Sequence, residues 1–426
     1  MLKPSPDPDD IAPRTAPDRI LSGVRVLDLS RFLSGPQTTL FLAALGAEVI
    51  RIDDPAKGDP TFDAPPFLGA AGVSFTRAAP EDVGIAYLKR SRGKKSVSLD
   101  LKSQEGRELF LRLVEKADVV VENFRVGVTE RLGITYDTLK ARNPRIIHCA
   151  ITGYGSTGPE RHRKAFDLMV QAASGFMSIT GAPDGAPSKT GSPLSDGIAG
   201  TFAFASVLGA LYQRERTGAG QFIDVSMTDC LISLVFDEPF DCYGTLGLPL
   251  RQGNRITRFS PFNTYPTRDG MVAIGAGTED DWRALLGVMG RDDLLHCPDH
   301  MSRGWRIANN DRVDAVVGAW TATRDTAEVV AALDAREIPC GPIRRIEEVA
   351  SWPHMIARRM LEPLVNPLAP QAGGAVAPAF PVKFSHAETS YAEQAPLPRV
   401  HNGEVYTDIL GLSPEELARL SQAGVI

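Results

Sequence analysis

Six short apolar runs, separated by segments long enough for helices, set what the first half of this chain can become. They are 24–29 (VRVLDL), 48–53 (EVIRID), 96–101, 118–121, 145–151 and 221–225. Pro36 opens the first intervening helix, where its fixed φ and missing N–H cost least. Ser103 is placed to cap the next, whose Leu109, Phe110, Leu113 and Val114 fall on one face at helical spacing. A longer helix is expected over 197–216. It is crowded with small residues, among them Gly197, Ala199, Gly200, Ala203 and Gly209, which let another backbone approach. Thr217-Gly218-Ala219-Gly220 stops it. Alternation of this kind predicts an α/β fold, a parallel sheet covered by helices on both faces.

At 426 residues the chain is too long for one ordinary core, so two domains are expected. From about residue 242 short strands such as 271–274 mix with helices, which predicts a smaller α+β domain ending near 338. The segment 338–342 (IPCGP) reads as a junction, and 414–423 as a last helix. The net charge of −6 argues against a nucleic-acid partner, because phosphate affinity needs clustered Lys and Arg. No uninterrupted apolar run reaches the ~18 residues of a membrane helix. Residues 1–19, rich in Pro and Asp, lack a signal peptide's apolar centre and read as a loose arm. Five cysteines without a CxxC pair suit a reduced cytoplasm, with no disulfide framework and no zinc site.

Asp53, at the end of the second strand, stands where a nucleotide-binding βαβ unit carries its acid. The turn before it reads RFLSGP (31–36), without the glycines that close pyrophosphate approach requires, so a nicotinamide dehydrogenase is not expected. P-loop, HExxH and GxSxG motifs are absent, and the seven histidines show no metal spacing. The chemistry must then rest on carboxylates, hydroxyls or basic residues. The basic run 89–95 (KRSRGKK), Lys102, Arg125, Arg131 and Lys164 read for the most part as a solvated face, with some able to grip a phosphorylated ligand at strand ends. Asp196, in GSPLSDGIAG (191–200), opens the long helix. An acid there is an ordinary N-cap. Compatible with that, it is a carboxylate that a helix N-terminus keeps ionised and available as a nucleophile.

The pieces GVRVLD (23–28), LGAEVIRID (45–53), KKSVSLDLK (94–102), ADVVVENF (117–124), GYG (153–155), QAASG (171–175) and GAGQFIDV (218–225) fall in order along the chain. As a series they resemble the family III CoA-transferases, which include formyl-CoA transferase and carnitine CoA-transferase. The resemblance implies an interlocked, ring-like homodimer, each chain with a large Rossmann-like CoA-binding domain (21–235 and 340–426) and a small α+β domain with linkers (240–339), after a flexible arm (1–20). It places the family's catalytic aspartate on Asp196. Ser34 (through its backbone N–H), Leu99, Lys102, Asn123, Phe124, Arg131 and Lys164 fall where the family contacts coenzyme A. Asp167 falls where formyl-CoA transferase has a glutamate beside the nucleophile. Leu33-Ser34 replaces that enzyme's Gln-Ala pair, and its run of glycines is missing, which argues against formyl-CoA and oxalate as substrates.

The resemblance implies acyl-CoA and a carboxylic acid as substrates, with no metal and no permanently bound cofactor. The acyl group would pass over Asp196 as an aspartyl anhydride and an aspartyl-CoA thioester. Two alternatives are an α-methylacyl-CoA racemase and a CoA-binding protein without catalysis. Racemases of the superfamily need a histidine as second acid/base, and the residue in that position is Phe166. Arg251, Arg255 and Arg258 surround Gly253 and Asn254 at the start of the small domain. They read either as partners for a spare substrate carboxylate, with succinyl-CoA a donor and a C4 or C5 diacid an acceptor, or as groups facing solvent or a partner chain.

Overall fold

A computed structural model describes residues 19–391 and 394–426; the expected N-terminal arm lies almost wholly outside them. The chain divides into two compact units. The first holds residues up to Ser174, Ser192–Leu234 and Ala357–Ile426; the second holds Gly175–Gly191 and Val235–Ile356.

The first unit is built on six parallel strands: β1 (Arg25–Asp28), β2 (Glu48–Asp53), β3 (Lys94–Ser98), β4 (Val119–Glu122), β5 (Ile147–Thr152) and β6 (Phe222–Ser226). Their order across the sheet is β3-β2-β1-β4-β5-β6, with every neighbouring pair parallel. Leu27, Ile50, Val97 and Val120 point to one face, where Phe110 and Leu113 of helix α2 (Gln104–Val114) join them in one core with Tyr406, Leu420 and Ile426 from the end of the chain. Ser103 caps α2, accepting from the Gly106 N–H. Asp28, one residue on from Leu27, points to the other face. There it accepts from Thr39 of helix α1 (Ser34–Ala44) at 2.6 Å and from Lys94 at 3.0 Å.

The long helix α4 (Leu194–Thr217) follows the short α3 (Asp167–Ala173) and packs on α1. By length and hydropathy α4 could cross a membrane; 39% of that apolar window is buried within this structure, Ala199, Gly200 and Ala203 among it. Thr38 of α1 donates to the Gly200 carbonyl at 3.1 Å, and a Cβ on Gly200 would lie 2.8 Å from the Ser34 carbonyl. All five cysteines are free thiols.

The second unit carries an antiparallel sheet of β7 (Phe262–Pro266), β8 (Met271–Gly275) and β9 (Cys340–Pro342). The segment read as a junction is therefore an edge strand. Tyr265, Ile274, Trp282, Leu286, Val317 and Leu333 fill its core.

Candidate active site

In this strand order the connections leave β1 and β4 in opposite directions, and open α/β sheets bind ligands in the crevice beyond the strands at such a point. The loops after β1 and β4 are tied together. The Asn123 side chain accepts from the Arg31 N–H at 2.8 Å and donates to the Arg31 carbonyl at 2.7 Å. Phe124 is set by the Glu122 carboxyl, which accepts its N–H at 2.6 Å. Burial first, and then the nearby Glu130 and Asp224, push Glu122 up to about 8, so it is largely protonated at neutral pH.

Asp196 lies in the first turn of α4 rather than at its cap, because the helix begins at Leu194. Pro193 offers that helix no side-chain cap. Asp167, at the start of α3, supplies one from outside: its Oδ1 accepts the Ser195 N–H at 2.8 Å and the Ser195 hydroxyl at 2.7 Å. Its Oδ2 accepts from Gln171 at 2.7 Å. The Ser34 hydroxyl and backbone N–H lie near the Asp196 carboxylate and favour its charged form. Two helix N-termini, those of α1 and α4, thus meet at one acid.

Burial raises the Asp196 pKa above the usual carboxylate value, and the charge of Asp167 adds to this. Ser34 and the Arg90 guanidinium pull in the other direction without cancelling it. The result is a partly desolvated carboxylate near the first turns of two helices, suited to attack an acyl carbon.

A cavity of about 250 Å³ is lined by Ser34, Asn123, Phe124, Lys164, Phe166 and Asp196. A second, of about 550 Å³, is lined by Leu99, Lys102, Phe124 and Arg131 among others. Phe124 belongs to both walls. All seven residues expected to contact coenzyme A therefore fall on two cavities that share a side chain. Lys102 is paired with Asp54 at 2.6 Å; Arg131 and Lys164 have no ion-pair partner among the described residues. Asp167 lies behind the lining and acts through Ser195. Phe166 is exposed in the same cavity as Asp196, and no histidine is among the described residues that line it.

Arg251 and Arg255 lie in the second unit. Arg255 is engaged by Asp311 at 2.7 Å and Asp314 at 2.6 Å. Arg251 donates to the carbonyls of Ser178 and Gly185, and its Nε has no partner. Arg258 pairs with Glu238.

The basic run is not a solvated face. Lys94 is buried on Asp28, and it also donates to the Pro36 carbonyl and Thr39 of α1 at 3.0 and 2.7 Å. Arg92 is buried and pairs with Glu362, and Lys95 bridges Glu48 and Glu404. Arg90 donates to the Phe32 carbonyl at 2.6 Å and acts on Asp196 through its charge. Asp53 is ion-paired with Arg51 at 3.0 Å in the core, so it is committed rather than free for a ribose. Sequence reasoning missed Arg90, Phe32, and Gln37, whose side chain holds the Gly197 carbonyl at 2.9 Å. Lys89 to Lys95 was the available signal, but nothing local told which cation turns inward.

The sequence model of CoA-transferase family III matches residues 21–402. The acetyl-CoA:oxalate CoA-transferase of Acetobacter aceti is 37% identical over 85% of this chain and 88% of its own. The succinyl-CoA:mesaconate CoA-transferase of Haloarcula hispanica is 36% identical over 90% of this chain and 95% of its own. Among solved structures, a CAIB/BAIF family protein from Brucella suis superposes with a TM-score of 0.79 at 31% identity, covering 92% of this chain and all of that one.

Proposed function

The chain belongs to CoA-transferase family III, and from that premise we propose that it moves coenzyme A from an acyl-CoA to a dicarboxylic acid through covalent intermediates on Asp196. The observation that carries the mechanism is the Asp196 carboxylate itself, met by two helix N-termini in a cavity that shares a wall with the one lined by Lys102 and Arg131. Asp196 attacks the donor thioester, giving an aspartyl–acyl anhydride and CoA thiolate. The thiolate attacks the aspartyl carbonyl, forming aspartyl-CoA thioester and releasing the donor acid. The acceptor carboxylate attacks that thioester, and the thiolate released then takes the acceptor acyl group, freeing Asp196. Each step exchanges one acyl bond for another of similar energy, so neither ATP nor a metal is called for. The Ser34 N–H, at a helix N-terminus, is placed to receive the charge that builds on the aspartyl oxygen. Asp167 is a positioning residue here, holding the first turn of α4.

Dicarboxylic acids are supported as substrates by the relatives, since both oxalate and mesaconate carry two carboxylates. Succinyl-CoA is the proposed donor and a C4 or C5 diacid the acceptor. The second carboxylate needs a guanidinium. Of the two arginines first singled out, Arg255 is already neutralised by Asp311 and Asp314 within its own unit. The enzyme is read as a homodimer of interlocked chains, as the family resemblance implies, and as cytoplasmic, as its cysteine usage suggests.

Label exchange between succinyl-CoA and a panel of free mono- and diacids tests the function. Exchange into diacids, abolished in Asp196→Ala with the fold intact, is the expected outcome. Exchange at the wild-type rate in Asp196→Ala would end the covalent reading. Equal use of monoacids and diacids would end the substrate class.

A further inference from the structure

Two phenyl rings in the cavity of Asp196 play no part in the chemistry described so far. Phe32 and Phe166 meet edge to face, their centroids 6.3 Å apart at 88°. Both stand open, with 49% and 65% of their surface exposed. Two apolar rings are ordinarily not left so bare beside a half-buried acid unless something packs on them.

Phe32 is also held in a conformation that a bulky side chain avoids. Its φ is +65°, in the left-handed region, where a non-glycine residue costs on the order of 1–3 kcal/mol. Three contacts impose it. Arg90 grips its carbonyl at 2.6 Å. Asn123 clamps the preceding residue, Arg31, at both its N–H and its carbonyl. Two residues on, Ser34 is fixed as the start of α1. Phe166 is set from its other side, as the residue from which α3 begins. The loop thus spends strain to turn an aromatic ring into the cavity.

We propose that Phe32 and Phe166 form the cover that keeps water off the acyl intermediates on Asp196, with Arg90 the positioning residue that holds Phe32 in place. This role rests on the covalent chemistry proposed above. The acyl group and the thioester methylenes of the substrate pack on the two rings and close the cavity. The reaction they suppress is hydrolysis. Water adds to the aspartyl carbonyl of the aspartyl-CoA thioester and its C–S bond breaks. The products are the Asp196 carboxylate, the thiol of coenzyme A and one proton. Water adding to the anhydride breaks its C–O bond and leaves two carboxylates and two protons, one of which the CoA thiolate takes up. Either way an acyl-CoA is lost without transfer, so the ratio of hydrolysis to transfer reads the cover directly.

Succinyl-CoA serves as the probe. Thiol release without added acid measures hydrolysis, and incorporation of radiolabelled succinate into succinyl-CoA measures transfer. In Phe32→Ala and Phe166→Ala the hydrolysis-to-transfer ratio should rise by about tenfold or more. Phe166→Leu, which keeps an apolar side chain of similar reach, should stay close to the wild-type ratio. Phe32→Gly suits the left-handed backbone while removing the ring, so a ratio raised as in Phe32→Ala assigns the effect to the ring and not to a disturbed loop. A ratio unchanged in both alanine variants, whether or not the two rates fall together, would overturn the cover. Wild-type protein that gives no exchange would instead overturn the transfer chemistry beneath it.

Discussion

A carboxylate that is half-buried and close to a second acid must still be ionised to act as a nucleophile. At Asp196 burial and the Asp167 charge favour the protonated form, while Ser34 and Arg90 favour the charged one. The folded pKa is raised, so Asp196 loses its charge at a higher pH than a free aspartate does, and the acid limb of kcat/KM should sit correspondingly high. Asp167→Asn removes the like charge and keeps an oxygen for the Ser195 N–H. That limb should then move to lower pH, with a modest loss of rate from the altered Gln171 contact. An acid limb unmoved in Asp167→Asn, followed by the pH profile of kcat/KM, would show that another group sets it. Asp196 stood out in the sequence as an acid opening a glycine-rich helix, and its proposed role as nucleophile came from the family resemblance. Its partners did not stand out. Arg90 lies over a hundred residues away in sequence, and its neighbours Lys89, Arg92 and Lys94 are chemically alike; only tertiary contact separates the one facing the site from those that hold Asp28 or Glu362.

Helices α1 and α4 deliver their first turns to the same point, and Gly200 sets how near they come. A Cβ there would crowd the Ser34 carbonyl, pushing α1 back and taking the Ser34 donors off Asp196. Gly200→Ala should therefore cost about 1–3 kcal/mol of stability by overpacking and lower kcat as well. Gly209, further along α4, has nothing within 4 Å of a built Cβ. Gly209→Ala should stabilise by about 0.5–1 kcal/mol through helix propensity and leave kcat alone. Thermal melts and kcat on the pair check both; similar behaviour of the two variants would contradict the close approach. The small residues of α4 announced such a contact without saying which helix would make it. Strand and helix positions were legible to within a few residues, since period and capping are local; Ser103 caps where expected. The third strand begins two residues early, at Lys94, whose side chain is buried as an ion pair where sequence suggested a surface cation. The start of α4 was misplaced for a related reason: its cap comes from Asp167, in another helix.

Over the whole molecule, the parallel order β3-β2-β1-β4-β5-β6 puts Asp196 and the two cavities at the end of the sheet where its connections part. The alternation of strands and helices predicted such a sheet, but strand order follows from long-range pairing that no local pattern encodes. The second unit was the less legible: its third strand arrives some sixty-five residues after its second, so Cys340–Pro342 looked like a linker until paired with β8. Everything proposed for this molecule turns on a covalent bond to one side chain. The measurement that tests it most directly is to mix the protein with succinyl-CoA, quench with hydroxylamine or borohydride, digest, and locate the modified residue by mass spectrometry. The expected result is modification of Asp196 alone, dependent on acyl-CoA and absent from Asp196→Asn. An unmodified Asp196, or label on another residue while transfer proceeds, would contradict the account.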